Sequence, residues 1–197
     1  MDEFQRWFAD DGDNTHLLNY ELTKSSIVFD VGGYKGDFAH DIYSKYGCKV
    51  YVFEPVVSFY NFIKDRFSDQ EDIKVFNFGL ADTDTVTSIS LNGDESSVFK
   101  EGKISEEITL KGITEVMEDL SIDKVDLMKV NIEGGEYPLL SHIVATDLAD
   151  KFDNIQVQFH TFADPDGMRR ADLQGKLKET HTPLFDYPFV WEGWTLK

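Results

Sequence analysis

Residues 27–36 read Ile-Val-Phe-Asp-Val-Gly-Gly-Tyr-Lys-Gly, an apolar run followed by a turn that contains three glycines. The apolar run predicts a buried strand. Gly32, Gly33 and Gly36 permit positive φ angles and let the backbone approach a ligand closely. Asp30 places a carboxylate beside this turn. We therefore predict a ligand-binding site at the end of this strand.

The chain downstream of this turn alternates between helical and strand-like hydrophobic spacing. This alternation predicts a doubly wound α/β sheet, in which ligands bind at the carboxyl ends of the strands near the point where the strand order reverses. The predicted helices are 37–46, 56–67, 113–120, 137–144 and 168–179; the predicted strands are 49–54, 73–78, 125–132, 155–160 and, as one or two antiparallel strands, 184–196.

Two segments depart from this alternation. Residues 83–110 are rich in Thr, Ser, Asp and Gly, which predicts a short hairpin or an irregular insertion with an exposed tip at 92–97. Residues 1–24 are partly apolar but lack a long amphipathic period, which predicts an N-terminal helical cap with one or two short helices. We therefore divide the chain into this cap and one ligand-binding domain, residues 25–197.

The overall charge argues against nucleic acid as a partner. The 197 residues contain 19 Lys and Arg against 37 Asp and Glu, a formal net charge of −18. Proteins bind nucleic acid largely by neutralising phosphates with Lys and Arg, so we expect no nucleic-acid substrate. Cys48 is the single cysteine and fits a reducing cytoplasm, and the apolar runs are too short to span a membrane. We expect a soluble, cytoplasmic protein.

Three carboxylates indicate the kind of ligand. A dinucleotide fingerprint, Gly-x-Gly-x-x-Gly, has its first glycine where this chain has Asp30. A carboxylate there would repel two phosphates but favours an ammonium or sulfonium group. Glu54, at the end of the second strand, is placed to accept hydrogen bonds from ribose hydroxyls. Asp82, after the third strand, is either a partner for an adenine amino group or an ordinary loop carboxylate.

Three motifs resemble the S-adenosylmethionine-dependent methyltransferases of the FkbM type. They are Phe-Asp-Val-Gly-Gly-Tyr-Lys-Gly at 29–36, Phe-Glu-Pro at 53–55, and Lys-Val-Asn-Ile-Glu-Gly-Gly-Glu at 129–136 before a strand that ends in Phe159 and His160. The resemblance implies a Rossmann-like, seven-stranded methyltransferase sheet, mostly parallel with an antiparallel C-terminal strand. Residues 25–197 are then a class I methyltransferase domain whose cofactor is S-adenosyl-L-methionine. The implied reaction is methylation of a hydroxyl on a sugar or other small molecule.

The motifs and the ends of the predicted strands give two sets of candidate site residues. Around the cofactor we expect Asp30, Gly32, Gly33, Gly36, Glu54 and Asp82. The candidate catalytic residues are Lys129, Asn131, Glu133 and His160. No metal ligand is assigned, although the loop after His160 contains Asp164 and Asp166.

The candidate catalytic residues have alternative roles. His160 ends a strand at the ligand edge and titrates near neutrality, so it is the first candidate for a general base; otherwise it is structural or binds substrate. Of Glu133 and Glu136, one is expected to hold the substrate or the methionine amino group and the other to cap the next helix. Lys129 is expected to pair with one of them. Asn131 stands where the family usually has Asp, which weakens acid–base chemistry there.

Two further classes of function remain open at this stage. A nicotinamide-dependent oxidoreductase shares the alternating strands and helices and the acid at Glu54, but is opposed by Asp30. A catalytically inactive nucleoside-binding module is suggested by Asn131. The sequence leaves the oligomeric state open between a monomer and a homodimer.

Overall fold

The computed structural model describes residues 2–92, 95–97 and 104–197. The predicted exposed tip at 92–97 includes residues 93 and 94, which lie outside the described residues. The strands are β1 (Ile27–Val31), β2 (Lys49–Phe53), β3 (Ile73–Phe76), β4 (Gly79–Ala81), β5 (Thr85–Asn92), β6 (Glu95–Ser97), β7 (Ile104–Gly112), β8 (Leu127–Val130), β9 (Asn154–Val157), β10 (His181–Tyr187) and β11 (Trp191–Leu196). The α-helices are α1 (Glu3–Ala9), α2 (Gly12–Thr15), α3 (Asp37–Tyr46), α4 (Val57–Arg66), α5 (Ile113–Asp119), α6 (Glu136–Ala145) and α7 (Met168–Thr180), with short 3₁₀ turns at Ala149–Lys151 and Thr161–Ala163.

The described strands build a seven-stranded sheet with the order β10-β11-β9-β8-β1-β2-β3. The five adjacent strands β3, β2, β1, β8 and β9 pair in parallel. β11 runs antiparallel to both β9 and β10. The predicted doubly wound, mostly parallel sheet with an antiparallel C-terminal strand is therefore confirmed. The strand order reverses between β1 and β8, which is where sheets of this kind bind their ligands.

Helices cover both faces of the sheet, so its central strands are apolar on both sides. Phe29 and Val31 of β1 pack in one core with α5, α6 and α7. Val28 packs in a second core with α3 and α4. The first of the flanking helices, α3, ends at Gly47, which adopts the left-handed conformation that a C-terminal glycine permits. The turn between β1 and α3 is thereby held between two packed layers.

The insertion forms a smaller sheet with the order β4-β7-β5-β6. The polar composition predicts a short hairpin or an irregular insertion, whereas the structure has a four-stranded sheet in which β5 pairs antiparallel with both β6 and β7. Ile89 and Ile108 are buried and pack against Val56, which immediately precedes α4. Oε1 of Glu106 accepts a hydrogen bond from the amide of Val57, at the start of α4, at 2.9 Å. The insertion is therefore fixed to the helix layer beside the first two strands.

Two short helices, α1 and α2, lie within residues 1–24. Trp7 is 3% exposed and packs with Tyr187 and Val190 of the C-terminal hairpin. The hydroxyl of Tyr20 donates a hydrogen bond to Oε1 of Gln156 in β9 at 2.7 Å. The division into an N-terminal cap and a domain at 25–197 remains our proposal. In the described part of the chain, no helix has the length and apolar character that a membrane crossing requires.

Candidate active site

A cavity of about 260 Å³ lies at the carboxyl ends of β1, β2 and β8, beside the reversal of strand order. Its wall includes the residue that follows each of these strands: Gly32, Glu54 and Asn131. Asp82 and Glu133 also border it. Residues from distant parts of the sequence therefore meet where a doubly wound sheet binds its ligand.

The glycine turn after β1 forms one wall of this cavity. Gly32 has a φ of +88°, and a Cβ atom on it would lie 2.1 Å from the carbonyl oxygen of Asn131. A Cβ on Gly33 would lie 2.3 Å from a methyl group of Val52, and one on Gly36 would lie 2.8 Å from an aromatic ring at the end of α4. Gly32 thus borders the cavity, whereas Gly33 and Gly36 let the turn pack closely on β2 and α4.

Alanine at Gly32 is expected to lower the free energy of unfolding by roughly 2–4 kcal/mol, because it combines a positive φ with a backbone clash. Gly175, in the middle of α7, is the matched control, since a Cβ there meets nothing within 4 Å. Gly175→Ala is expected to stabilise the protein by roughly 0.5–1 kcal/mol. Urea unfolding measures both effects, and a loss of less than about 1 kcal/mol for Gly32→Ala would contradict the described turn.

Asp30 lies fully buried beneath the glycine turn, where its carboxylate is paired with a lysine. Nζ of Lys129 donates to Oδ1 of Asp30 at 2.8 Å and to the carbonyl oxygen of Gly32 at 2.6 Å. Burial raises the pKa of Asp30, and the charge and hydrogen bond of Lys129 oppose that shift. Within the described residues, Oδ2 of Asp30 has no hydrogen-bond partner. Lys129 therefore supplies a cation beside Asp30.

The partner of Lys129 differs from the expected one. The sequence predicts a pair with Glu133 or Glu136, whereas the structure pairs Lys129 with Asp30. The reason is the register of the sheet: β1 and β8 are neighbours, and Asp30 lies directly opposite Lys129. Both side chains consequently share one face of the sheet and are buried together.

Glu54 presents a buried carboxylate that two backbone amides hold in place. Its Oε1 accepts from the amide of Val56 at 2.9 Å, and its Oε2 accepts from the amide of Tyr34 at 2.8 Å. Burial raises the pKa of Glu54 to about 7, although these hydrogen bonds favour the ionised form. Each carboxylate oxygen has a second lone pair. This geometry allows the carboxylate to accept two further hydrogen bonds from a ligand with adjacent hydroxyls.

The insertion contributes an apolar part of the cavity wall. Ile89, Ile108 and Leu110 line the cavity together with Phe59 of α4. Asp82, which follows β4, borders the same cavity and is partly exposed. We call this apolar part of the cavity, together with Phe59, the apolar slot. With the carboxylate of Asp82 at its edge, the apolar slot suits a flat heterocycle that carries an amino group.

His160 lies between two carboxylates. Its Nδ1 is 2.9 Å from Oε1 of Glu136, and its Nε2 is 3.3 Å from Oε1 of Glu133. Glu136 is fully buried and also accepts from the amides of His160 and Gly134, at 2.9 Å and 2.8 Å. Burial disfavours a charged imidazole, but the hydrogen bonds and charges of Glu133 and Glu136 outweigh it and raise the pKa of His160 to about 9. The two carboxylates therefore favour the charged, imidazolium form of His160.

Glu133 connects this cluster to the cavity. It has a φ of +53° in the turn after β8, and it lines the cavity beside Asn131. The amide of Asn131 donates to the carbonyl oxygen of Val31 at 3.0 Å, which fixes this turn to the end of β1. Of the four candidate catalytic residues, the structure therefore brings Asn131 and Glu133 to the cavity wall, places His160 against Glu133, and buries Lys129 beside Asp30.

The two carboxylates in the loop after His160 accept hydrogen bonds from backbone amides at the start of α7. Asp164 accepts hydrogen bonds from the amides of Arg169 and Arg170, at 3.0 Å and 2.9 Å, and Asp166 accepts from the amide of Met168 at 3.1 Å. These bonds satisfy amides at the start of α7 that have no partner within the helix. Among the residues that the structure describes, no group of three or more His, Cys, Asp or Glu side chains is arranged to hold a metal ion.

Two parts of the site, Tyr34 and the apolar wall of the insertion, could not be predicted from the sequence patterns. Tyr34 has a φ of +50°, lines the cavity, and has its ring 4.6 Å from that of Phe59. The apolar wall of the insertion was also unforeseen. The alternation around Ile89 indicates a strand, but a period of two does not show which structure its apolar side faces.

The structure combines a doubly wound α/β sheet, whose last strand is antiparallel, with a cavity bordered by Glu54, Asp82 and Glu133 at the reversal of strand order. This is the arrangement of a ligand-binding protein of the doubly wound class. The sequence matches the model of the methyltransferase FkbM domain over residues 30–179. The chain therefore belongs to the FkbM methyltransferase family, as the motifs predict. Membership of this family implies S-adenosylmethionine as the methyl donor.

Solved structures of other methyltransferases share the fold. The METTL16 methyltransferase domain is 11% identical with a TM-score of 0.51, and the alignment covers 98% of this chain and 66% of that domain, just under two thirds. An rRNA methylase from Streptococcus thermophilus is 13% identical with a TM-score of 0.50 over 89% of each chain. The fibrillarin pre-rRNA processing protein of Methanococcus jannaschii is 11% identical with a TM-score of 0.53, over 90% of this chain and 69% of that one. At these identities the likeness concerns the fold alone. No curated protein sequence matches the chain.

Proposed function

We propose that this methyltransferase transfers a methyl group to a hydroxyl of a sugar or other small-molecule acceptor. The observation that carries the proposal is the composition of one cavity wall: Glu54 at one position, and Asn131 with Glu133 at another. The carboxylate of Glu54 can accept hydrogen bonds from the two ribose hydroxyls of the donor. An amide and a carboxylate are suitable hydrogen-bond partners for the hydroxyls of a neutral acceptor.

The donor is proposed to lie across the ends of the central strands. Its ribose hydroxyls donate to Glu54, and its adenine enters the apolar slot of the insertion with the amino group toward Asp82. Its methionine part follows the turn at Gly32. Gly33 and Gly36 support that turn through packing, and the pair of Asp30 and Lys129 holds it from below through the carbonyl oxygen of Gly32.

The acceptor is proposed to meet the donor at Asn131 and Glu133, and His160 lies against Glu133. The charge of the chain, −18, favours a neutral or cationic molecule over a polyanion. This is why a small hydroxylated molecule, rather than RNA, is proposed even though some proteins of the same fold carry RNA methylation in their names. A cytoplasmic location and a homodimer remain part of the proposal and are tested by fractionation and by light scattering.

Donor binding is tested first, by thermal unfolding with S-adenosylhomocysteine or with NAD. A ligand that binds the native state raises the melting temperature, and at about 100 times its Kd it stabilises by about 2.7 kcal/mol. We expect a rise with S-adenosylhomocysteine and none with NAD. A rise with NAD alone would reject the proposed donor site and favour the oxidoreductase alternative.

The acceptor class is tested by transfer of a labelled methyl group to methyl glycosides, polyols, nucleosides and short RNAs. Labelling of a methyl glycoside or polyol supports the proposal. Labelling of RNA alone would reject the acceptor class while leaving the methyltransferase assignment intact. Binding of S-adenosylhomocysteine without labelling of any acceptor would favour an inactive nucleoside-binding module.

A further inference from the structure

The carboxylate of Glu136 determines the protonation of one nitrogen of the His160 ring, Nδ1. Glu136 Oε1 lies 2.9 Å from Nδ1 and accepts from the backbone amide of His160 at the same distance. Its Oε2 accepts from the amide of Gly134 at 2.8 Å. A buried carboxylate in this position accepts only, so Nδ1 carries a proton. The orientation and tautomer of the ring are therefore set from the buried side.

The other ring nitrogen faces a second carboxylate. Nε2 is 3.3 Å from Oε1 of Glu133, and the two side chains are 14% and 20% exposed. If Nε2 carried no proton, its lone pair would face the carboxylate of Glu133 and repel it. We therefore assign a proton to Nε2, directed toward Oε1 of Glu133. Neither ring nitrogen is then available to take a proton from an acceptor. Glu133, in contrast, lines the cavity.

We propose that Glu133 accepts the proton of the acceptor hydroxyl, and that His160 and Glu136 are positioning residues that act through Glu133. This inference rests on the proposed methylation of a hydroxyl and assigns its general base. It replaces the role first expected for His160, while His160 remains part of the site.

Methyl transfer to the acceptor hydroxyl forms one bond, breaks one bond and releases one proton. The acceptor oxygen forms a bond to the methyl carbon while the bond between that carbon and the sulfonium sulfur breaks, and its electron pair goes to sulfur. The products are a methyl ether and S-adenosylhomocysteine, and the hydroxyl proton passes to Glu133. A carboxylate is a sufficient base because the attacking oxygen becomes positively charged, and its proton acidic, as the new bond forms.

Among the described residues, three other titratable groups near His160 have contacts away from its ring. From α6, the hydroxyl of Tyr137 donates to the backbone carbonyl of His160 at 3.1 Å. The guanidinium of Arg169, from α7, lies 4.5 Å from the centre of the Tyr137 ring. Asp164 is occupied by the first amides of α7. Glu133 and Glu136 are therefore the groups that govern the ring.

The protonation of His160 is tested on the protein without any acceptor. In protein labelled with ¹⁵N-histidine, the signal that disappears in His160→Gln identifies the ring. We expect both nitrogens to be protonated at pH 7, with a transition near pH 9, in line with the raised pKa of His160. Glu133→Gln is expected to lower the midpoint of that transition. A ring that is neutral at pH 7.5 would overturn the proposal.

The proton acceptor is tested by the pH dependence of kcat on the hydroxylated compound that is most readily methylated. If Glu133 is the base, kcat is expected to be flat between about pH 7 and 8.5. If His160 were the base, kcat would rise tenfold per pH unit up to about pH 9. That rise would overturn the proposal.

Variants separate the base from its positioning residues. Glu133→Gln is expected to lower kcat at least about 100-fold, the usual effect of removing a general base. His160→Gln, which keeps an amide donor toward Glu133, and Glu136→Gln are expected to lower kcat only about 3- to 10-fold with KM nearly unchanged. Glu133→Asp is expected to restore part of the loss. A larger loss for His160→Gln than for Glu133→Gln would overturn the assignment.

Failure of this inference is distinguishable from failure of the proposed function. Unchanged affinity for S-adenosylhomocysteine, measured by calorimetry, shows that each variant is folded and retains the donor site. If no hydroxylated compound is methylated, the proposed function fails, and the histidine spectra still support or overturn the described proton arrangement. If methylation occurs with a neutral His160, only this inference fails.

Discussion

Glutamine in place of Glu54 is expected to weaken the binding of S-adenosylhomocysteine about 100-fold or more. The ionised carboxylate is placed for two charge-assisted hydrogen bonds from ribose hydroxyls, each contributing roughly 1.5–3 kcal/mol. The amide of glutamine keeps one acceptor oxygen, and its NH₂ group would face the amide of Tyr34 or of Val56, which are themselves donors. Calorimetric titration measures the loss. Glu71→Gln, at an exposed carboxylate after α4, is the control and should leave the affinity unchanged.

The same residue predicts how donor binding depends on pH. The pKa of Glu54 is raised to about 7 in the protein without ligand, and ribose hydroxyls favour the ionised form. The affinity for S-adenosylhomocysteine should therefore increase between about pH 6 and 8 and level off above that range. Glu54→Gln should abolish this dependence. An affinity that is constant with pH in the unmodified protein would contradict the described environment of Glu54.

Raising the pH should increase donor affinity through Glu54 but should lower the stability of the protein without ligand. A carboxyl whose pKa is higher in the folded state than in the unfolded state contributes stability below its unfolded pKa of 4.5, and that contribution is lost as the pH rises through about 7. The difference of about 2.5 pKa units corresponds to roughly 3 kcal/mol. Without ligand, this contribution is therefore present at low pH and absent at pH 8.

Methionine in place of Lys129 is expected to lower the free energy of unfolding by roughly 3–5 kcal/mol at pH 7, because it leaves a buried carboxylate without its counter-ion. Asp30 is fully buried, and Nζ of Lys129 donates a hydrogen bond to its Oδ1 at 2.8 Å. The double variant Asp30→Asn with Lys129→Met removes both charges and is expected to recover at least half of the loss. Denaturant unfolding of both single variants and of the double variant measures the coupling.

The cost of the Lys129 substitution should also decrease toward acid pH. Burial already raises the pKa of Asp30, and without Lys129 nothing opposes that shift. The folded state then favours the protonated carboxyl, so the penalty is present at neutral pH and disappears as the pH falls through the raised pKa. A penalty that does not decrease on acidification would contradict a charge-based explanation.

Much of the fold could be predicted because local patterns carry it. The change between a period of two and a helical period predicts the alternating strands and helices, and Gly47 ends α3 as expected. The partner of Lys129 could not be predicted in the same way, because it depends on which strands are neighbours and on their register. The sequence places Glu133 four residues from Lys129, but the sheet places Asp30 beside it.

The candidate site could be predicted to a similar extent. Glu54 and Gly32 lie at the cavity because residues that follow parallel strands meet at one edge. The arrangement around His160 depends on the path of the loop that brings Glu136 against its ring, and residue types alone do not determine that path. The wall of the insertion likewise depends on tertiary packing, since Ile89 and Ile108 meet Val56 from a distant part of the chain.

The contact between Gly32 and the carbonyl oxygen of Asn131 leaves no space for even one additional carbon atom. The backbone of the loop proposed to hold the donor is therefore packed directly against the backbone of the loop proposed to receive the acceptor. Movement of either loop toward the other is blocked at this contact. We therefore expect the contact to set a minimum distance between the bound donor and the bound acceptor.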